Sequence, residues 1–185
     1  MATGRSNYLT KQTGEYLVAA ELSRLGYIAT TFTGNVPHYD IVAVDESGRH
    51  VLVQVKAISA TSWQFTVDQF AQITFDGQRQ LVGKRVRTPY PDLVCVLVQL
   101  ARAGSRARDR FFVLPWSELS RTVVTGHRRY LKKHGGIRPR KPESLHTALA
   151  FQQVLKWEDR WDVLTKRPKR ASATKPLQPT APVSR

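Results

Sequence analysis

Four polar side chains have the types and spacing to do chemistry: Glu15, Asp40, Gln54 and Lys56. Three of them lie in residues 39–56, YDIVAVDESGRHVLVQVK, which reads as a tight β-hairpin with an acid on one strand and Gln-x-Lys on the other. Ile41, Val42, Ala43 and Val44 make one apolar run, Val51, Leu52, Val53 and Val55 another, and Glu46, Ser47 and Gly48 lie between them. A loop of this length ending in glycine suits a type I turn followed by a left-handed residue. That turn pairs Asp45 with Arg49 and, counting back, Asp40 with Gln54. Side chains alternate along a strand, so Asp40, Gln54 and Lys56 then share one side of the sheet. A carboxylate, an amide and an ammonium group are costly to gather on a Val- and Ile-rich sheet unless something charged binds there. The hairpin therefore reads as a site.

The elements around it must position these groups. Residues 10–25 predict a helix: Thr10 or Thr13 can cap it, its interior is rich in Ala, Leu and Glu, and Gly26 is placed to end it. On a helical wheel Glu15, Val18, Ala19, Leu22 and Leu25 fall on one stripe, which makes Glu15 an acid on the core-facing side. A carboxylate near a helix N-terminus is also favoured by the macrodipole alone. Residues 27–33 read as a short strand, and 33–37 as a loop that delivers the chain to Asp40. A further strand is expected over 63–67, and 68–74 is ambiguous. No acid lies between Asp76 and Asp92, while Arg79, Lys84, Arg85 and Arg87 sit among Gly77, Gly83 and Pro89. That stretch predicts a mobile basic loop able to grip a phosphate backbone, or simply a solvated basic surface.

Residues 92–100 are apolar on both faces, as a central buried strand would be, and 110–114 repeat the pattern. Residues 115–119 look like the start of a short helix. The densest cationic stretch, 126–141, holds Arg128, Arg129, Lys132 and Lys133, and its Gly135, Gly136 and Pro139 argue against one continuous helix. Residues 145–164 carry enough apolar surface to pack back on the core as a strand and a helix. Residues 166–185 read as a disordered basic tail.

The chain has 185 residues, enough for one domain with appendages, and 29 Lys+Arg against 14 Asp+Glu give a net charge of +15. Such an excess points to a polyanion such as nucleic acid. A ribosome-associated protein, a soluble basic domain and an anionic membrane surface are the alternatives. Cys95, the single cysteine, sits in an apolar run and reads as a packed core residue. No apolar run approaches the roughly 20 residues that span a bilayer, and the N-terminus lacks the apolar core of a signal peptide, so the expectation is a cytoplasmic protein without membrane partners.

A helix with Glu15, a strand, a hairpin with Asp40 and then Gln54-Val55-Lys56 resembles, in that order, the core of the PD-(D/E)xK nuclease superfamily. Its members include restriction endonucleases and archaeal Holliday junction resolvases. The resemblance covers roughly residues 10–100. QVK resembles the Gln-x-Lys variant of Mrr-type restriction enzymes, and TGEYLVAAELSRLGY with YDIVAV and VQVKA is similar to small bacterial proteins of the superfamily. The resemblance implies an α/β fold, a restriction endonuclease-like mixed β-sheet flanked by helices, with the nuclease-like core assigned to 1–125; the cationic and apolar stretches of 126–165 are expected to pack on that core as a basic C-terminal extension. The resemblance also implies phosphodiester hydrolysis with Mg²⁺ or Mn²⁺. Asp40 would be the principal metal ligand, joined by the Gln54 side-chain oxygen, the Val55 carbonyl and Glu15, while Lys56 orients the attacking water or offsets charge on the phosphorane. DNA is the implied partner, gripped by Arg79, Lys84, Arg85, Arg87, Arg128, Arg129, Lys132 and Lys133. A homodimer is a further expectation, because cutting both strands or holding a junction generally takes two sites.

Two positions depart from the family pattern. The Pro-Asp pair is absent, with His38-Tyr39-Asp40 in its place, and Gln54 removes one negative charge, which lowers the expected metal affinity. Each candidate also has a plainer role: Asp40 as a cap of the Pro37 turn, Lys56 as the ion-pair partner of Glu15, His38 as a loop histidine, Trp63 as a packed indole rather than a base stacker. Three functions follow: a metal-dependent deoxyribonuclease, a binding module with the same fold and no catalysis, or a basic ribonucleoprotein component.

Overall fold

A computed structural model describes residues 4–32 and 36–165. In chain order it contains α1 (Gly4–Arg24), β1 (Ile28–Thr31), β2 (Ile41–Val44), β3 (His50–Ile58), β4 (Ser62–Thr66), β5 (Ala71–Asp76), β6 (Arg79–Arg85), β7 (Val94–Gln99), β8 (Arg110–Pro115), α2 (Trp116–Lys133) and β9 (His146–Ala150). Five strands form one sheet in the order β1-β2-β3-β7-β8, in which only β3 and β7 run parallel. This is the mixed α/β sheet expected from the sequence.

The sheet buries both faces, and the alternation of β3 and β7 decides which residue faces where. Val51, Val53 and Val55 join Val94, Val96 and Val98 against Val18 and Leu22 of α1. On the other face Cys95 and Leu97 pack with Phe112, Leu114, Trp63, Phe70 and Leu119. Cys95 is thus a core residue, as its apolar neighbours suggested. The hairpin forms in the expected register, with Ile41 opposite Val53 and Val44 opposite His50. Its turn is held by Asp45, whose Oδ1 accepts the N–H groups of Ser47 and Arg49 at 3.0 Å each and the Ser47 hydroxyl at 2.6 Å, while Arg49 Nε donates to Oδ2 at 2.9 Å. Gly48 takes the left-handed φ of 77° that the turn needs.

Several local expectations are corrected. Helix α1 begins at Gly4 rather than near Thr10, since residues 5–9 hold neither glycine nor proline to stop it. Leu25 is exposed because the helix ends one residue earlier. The stretch 76–92, expected as a mobile basic loop, is largely the second strand of a β5–β6 hairpin turning on Gly77, with Gln80 buried and Val82 half-buried on one side. The short helix expected at 115–119 continues through the cationic stretch to Lys133. Its Leu119, Val123, Val124, His127 and Leu131 bury one continuous face, which outweighs the roughly 1 kcal/mol that Gly126 costs. The division expected after residue 125 falls inside this helix, and β9 pairs with β4, so residues 126–165 are interleaved with the rest. Residues 161–165 form a 3₁₀ turn rather than part of a longer helix. The tail expected as disordered lies outside the described residues.

Candidate active site

The site grows from the point where β2 stops pairing with β3. Register ends at Ile41 opposite Val53, so beyond it that edge of β3 has no strand beside it. Asp40 takes over the position. Its N–H donates to the Val53 carbonyl at 2.9 Å, and its Oδ2 accepts the Val55 N–H at 2.8 Å. A side chain thus continues a strand ladder, which fixes the carboxylate on the open edge next to Val55.

Glu15 reaches the same edge from α1. Gly14 lets the helix approach: a Cβ there would lie 2.4 Å from Ala57 Cβ, closer than side-chain carbons pack. Glu15 is buried, at 9% exposure, and its Oε1 has no hydrogen-bond partner. Lys11, one helical turn earlier, supplies the charge. Its Nζ stands 3.5 Å from Glu15 Oε1 and 3.6 Å from Asp40 Oδ1, a single cation between two carboxylates. Burial, then the charge of Asp40, push the Glu15 carboxyl above its ordinary range, and Lys11 only partly offsets them. Lys11 was not among the residues singled out from sequence, although its spacing of four from Glu15 is the signal of an ion pair on one helix face.

Gln54 and Lys56 project from the opposite face of β3, since Val53, Val55 and Ala57 belong to the α1 side. They line, with Asp40, a cleft of about 840 Å³. The sheet therefore brings Asp40, Gln54 and Lys56 to one cleft, as the hairpin register implied, while Glu15 meets Asp40 around the strand edge through Lys11. Lys56 does not pair with Glu15. Its ammonium lies over the Phe65 ring at 4.9 Å, and burial lowers its pKa, an effect that Asp40 partly opposes. Trp63 is fully buried and its indole N–H donates to the Lys56 carbonyl at 2.9 Å, so it is a packed residue that holds the lysine's backbone. Gln54 Oε1 faces the Cys95 thiol at 3.8 Å, and burial, then Asp40, push that thiol's pKa up.

Of the eight expected phosphate-gripping cations, Arg87 lines the cleft. Arg79, Lys84 and Arg85 are exposed on β6, and Arg129, Lys132 and Lys133 on α2. Arg128 is engaged in tying the two elements together, its Nη2 donating to the Gly83 carbonyl at 2.8 Å and the Val82 carbonyl at 3.3 Å. Arg85 similarly donates to the Ser117 carbonyl at 3.3 Å.

Whether these residues suit a divalent ion can be judged from the donors. Among the described residues no group of three or more His, Cys, Asp and Glu could hold a metal. A hard cation that keeps most of its waters needs fewer: one or two carboxylates and a phosphate suffice for Mg²⁺. Glu15 and Asp40 supply two carboxylates that already share a positive charge. The set fits a weakly held Mg²⁺ or Mn²⁺.

No protein-family model matches the chain, and no curated protein matches it. Among solved structures it is similar to a bacterial homing endonuclease, with 16% identity, a TM-score of 0.40, and coverage of 63% of this chain and 73% of that one.

Proposed function

We propose that this protein is a metal-dependent endonuclease that hydrolyses phosphodiester bonds in DNA. The observation that supports it most is the meeting of Glu15 and Asp40 around one cation, at 3.5 and 3.6 Å, beside a cleft that also holds Gln54, Lys56 and Arg87. Two carboxylates sharing positive charge next to basic groups are what a divalent ion and a phosphate together require. Glu15, Asp40, the Gln54 amide oxygen and the Val55 carbonyl would hold the ion. When bound, it polarises the phosphoryl oxygen and makes hydroxide available near neutral pH. Asp40, locked by the Val55 N–H, keeps one oxygen directed at this position. Lys56 orients the attacking water and offsets charge developing on the phosphorane, and its lowered pKa lets it release a proton more readily than a surface lysine does. Arg87 neutralises an adjacent phosphate.

The test is cleavage of supercoiled plasmid and of branched oligonucleotides with Mg²⁺ or Mn²⁺. Asp40→Asn and Lys56→Ala should each lower the rate by about 100-fold or more while circular dichroism stays unchanged. Variants that cut as fast as the parent would refute the assignment. A second reading, a nucleic-acid-binding module without catalysis, is favoured by Lys11 standing between the carboxylates and by the neutral Gln54. It predicts binding that weakens with salt, is indifferent to chelator, and is accompanied by no cleavage with any divalent ion.

A further inference from the structure

The cleft beside Asp40 extends well past the charged groups that phosphodiester chemistry needs. Beyond Lys11, Asp40 and Lys56 it is floored by the buried Phe65, Phe70, Leu93, Leu97 and Leu119, with the half-buried Trp116 beside them. Phe70 and Trp116 are stacked there, with centroids 5.8 Å apart and planes 27° from parallel. These rings belong to the core and offer a ligand no open face, so they shape the floor of the cleft rather than a stacking surface.

A second, separate feature stands at the rim. Phe32, Tyr39, Tyr90 and His38 form a row of rings in successive contact, at 5.8, 5.6 and 5.8 Å. Phe32 and His38 are exposed and the two tyrosines half-buried, so the row belongs to the surface rather than to either core cluster. His38 holds a φ of 76°, a strained conformation for a residue with a Cβ, two positions before Asp40. Arg87, Thr88 and Pro89, just before Tyr90, line the cleft, as does His38, so the row is continuous with it.

We infer that the substrate is nucleic acid carrying unpaired bases, single-stranded or branched, with those bases stacked on the ring row at the mouth of the cleft. This rests on the phosphodiesterase reading of Asp40 and Lys56 and narrows it. In an uninterrupted duplex every base face is covered by the next pair, and only phosphates and groove edges are on offer. A base reaches an aromatic wall only once it has left the stack.

The test reads binding with no cleavage. A fluorescein-labelled DNA strand, its full duplex and a duplex with a central unpaired bubble are titrated with the full chain in EDTA, and anisotropy is followed. The strand and the bubble should bind about tenfold or more tightly than the duplex, and Tyr39→Ala and Tyr90→Ala should each weaken strand binding by about 5- to 100-fold while duplex binding changes little. Tyr90→Leu, which keeps apolar volume but removes the ring face, covers the case in which alanine loosens the fold, and it should weaken strand binding too. Duplex binding as tight as strand binding, or tyrosine variants that hold the strand like the parent, would overturn the inference. Failure of the nuclease reading is seen separately, as Asp40→Asn cleaving at the parent rate, and it leaves these affinities unaffected.

Discussion

Replacing Gly14 by alanine pits two effects of opposite sign against each other at the helix that carries Glu15. In an exposed helix the change stabilises by roughly 1 kcal/mol, because alanine loses less backbone entropy. Here the added methyl would lie 2.4 Å from Ala57 Cβ and 3.6 Å from Val55 Cγ1. Carbon atoms pack at about 3.5–4.0 Å, so α1 must retreat by about 1 Å or the strand must bend. Overpacking of this kind costs about 1–3 kcal/mol, which offsets the propensity gain and leaves a net loss of up to about 2 kcal/mol. The same retreat carries Glu15 and Lys11 away from Asp40, so divalent-ion affinity should fall by about tenfold, a change of about 1.4 kcal/mol. Urea denaturation gives the first quantity and calorimetric titration with Mn²⁺ the second. A Gly14→Ala protein with a higher urea midpoint and unchanged ion affinity would refute the close approach of α1 to β3 as the device that sets the site.

Two further outcomes are expected. Lys11→Met leaves Glu15 and Asp40 facing each other without a cation. The Lys11 side chain is half-exposed and its charge screened, so the metal-free protein should lose only about 1 kcal/mol, while Mn²⁺ should bind about tenfold more tightly because no ammonium competes for the carboxylates. Unchanged calorimetric affinity would remove Lys11 from the site. Native Glu15 keeps its proton to higher pH than the unfolded chain does, so its contribution to stability is full below the ordinary carboxylate pKa and declines as pH rises through the raised one. Lys11→Met should make that decline steeper. His127 behaves differently. It is buried, its Nε2 donates to Gln80 Oε1 at 3.0 Å, and Nδ1 has no partner. Burial, then Arg138, lower its pKa to about 4. As pH falls through 6.5 the unfolded chain takes up a proton that the native chain refuses until about pH 4. Stability should therefore decline across that window by up to about 3 kcal/mol, and His127→Gln should flatten the profile of urea midpoint against pH. A parent profile already flat from pH 7 to 4 would contradict the burial of a neutral imidazole.

Much of the site is legible in the sequence. Two apolar runs, 41–44 and 51–55, with Gly48 in the turn between them, fix the register that sets Asp40 against Gln54 and give Gln54 and Lys56 a common face, because strand alternation and turn length are local properties. The apolar run at 93–98 likewise declares a strand buried on both faces. The basic hairpin at 71–85 is hidden because its glycines and arginines look like loop composition, whereas it is anchored by Gln80, a polar residue whose burial is satisfied by the distant carbonyls of Pro142 and Ser144 and by His127. Helix α2 was underestimated for a related reason: local chemistry at Gly126 and the cationic run opposes a helix that tertiary burial of Val123, Val124, His127 and Leu131 maintains.

The sequence alone determined the fold class, the hairpin and the excess of positive charge, since periodicity and composition are fixed residue by residue. Only the tertiary structure decided that β2 stops at Ile41 and leaves an edge for the Asp40 carboxylate, that Lys11 bridges it to Glu15, and that Tyr90 joins Tyr39 and His38 in one row of rings beside the cleft. Those are contacts between segments far apart in the chain, and their geometry is set by how two faces of one sheet are packed rather than by any local pattern.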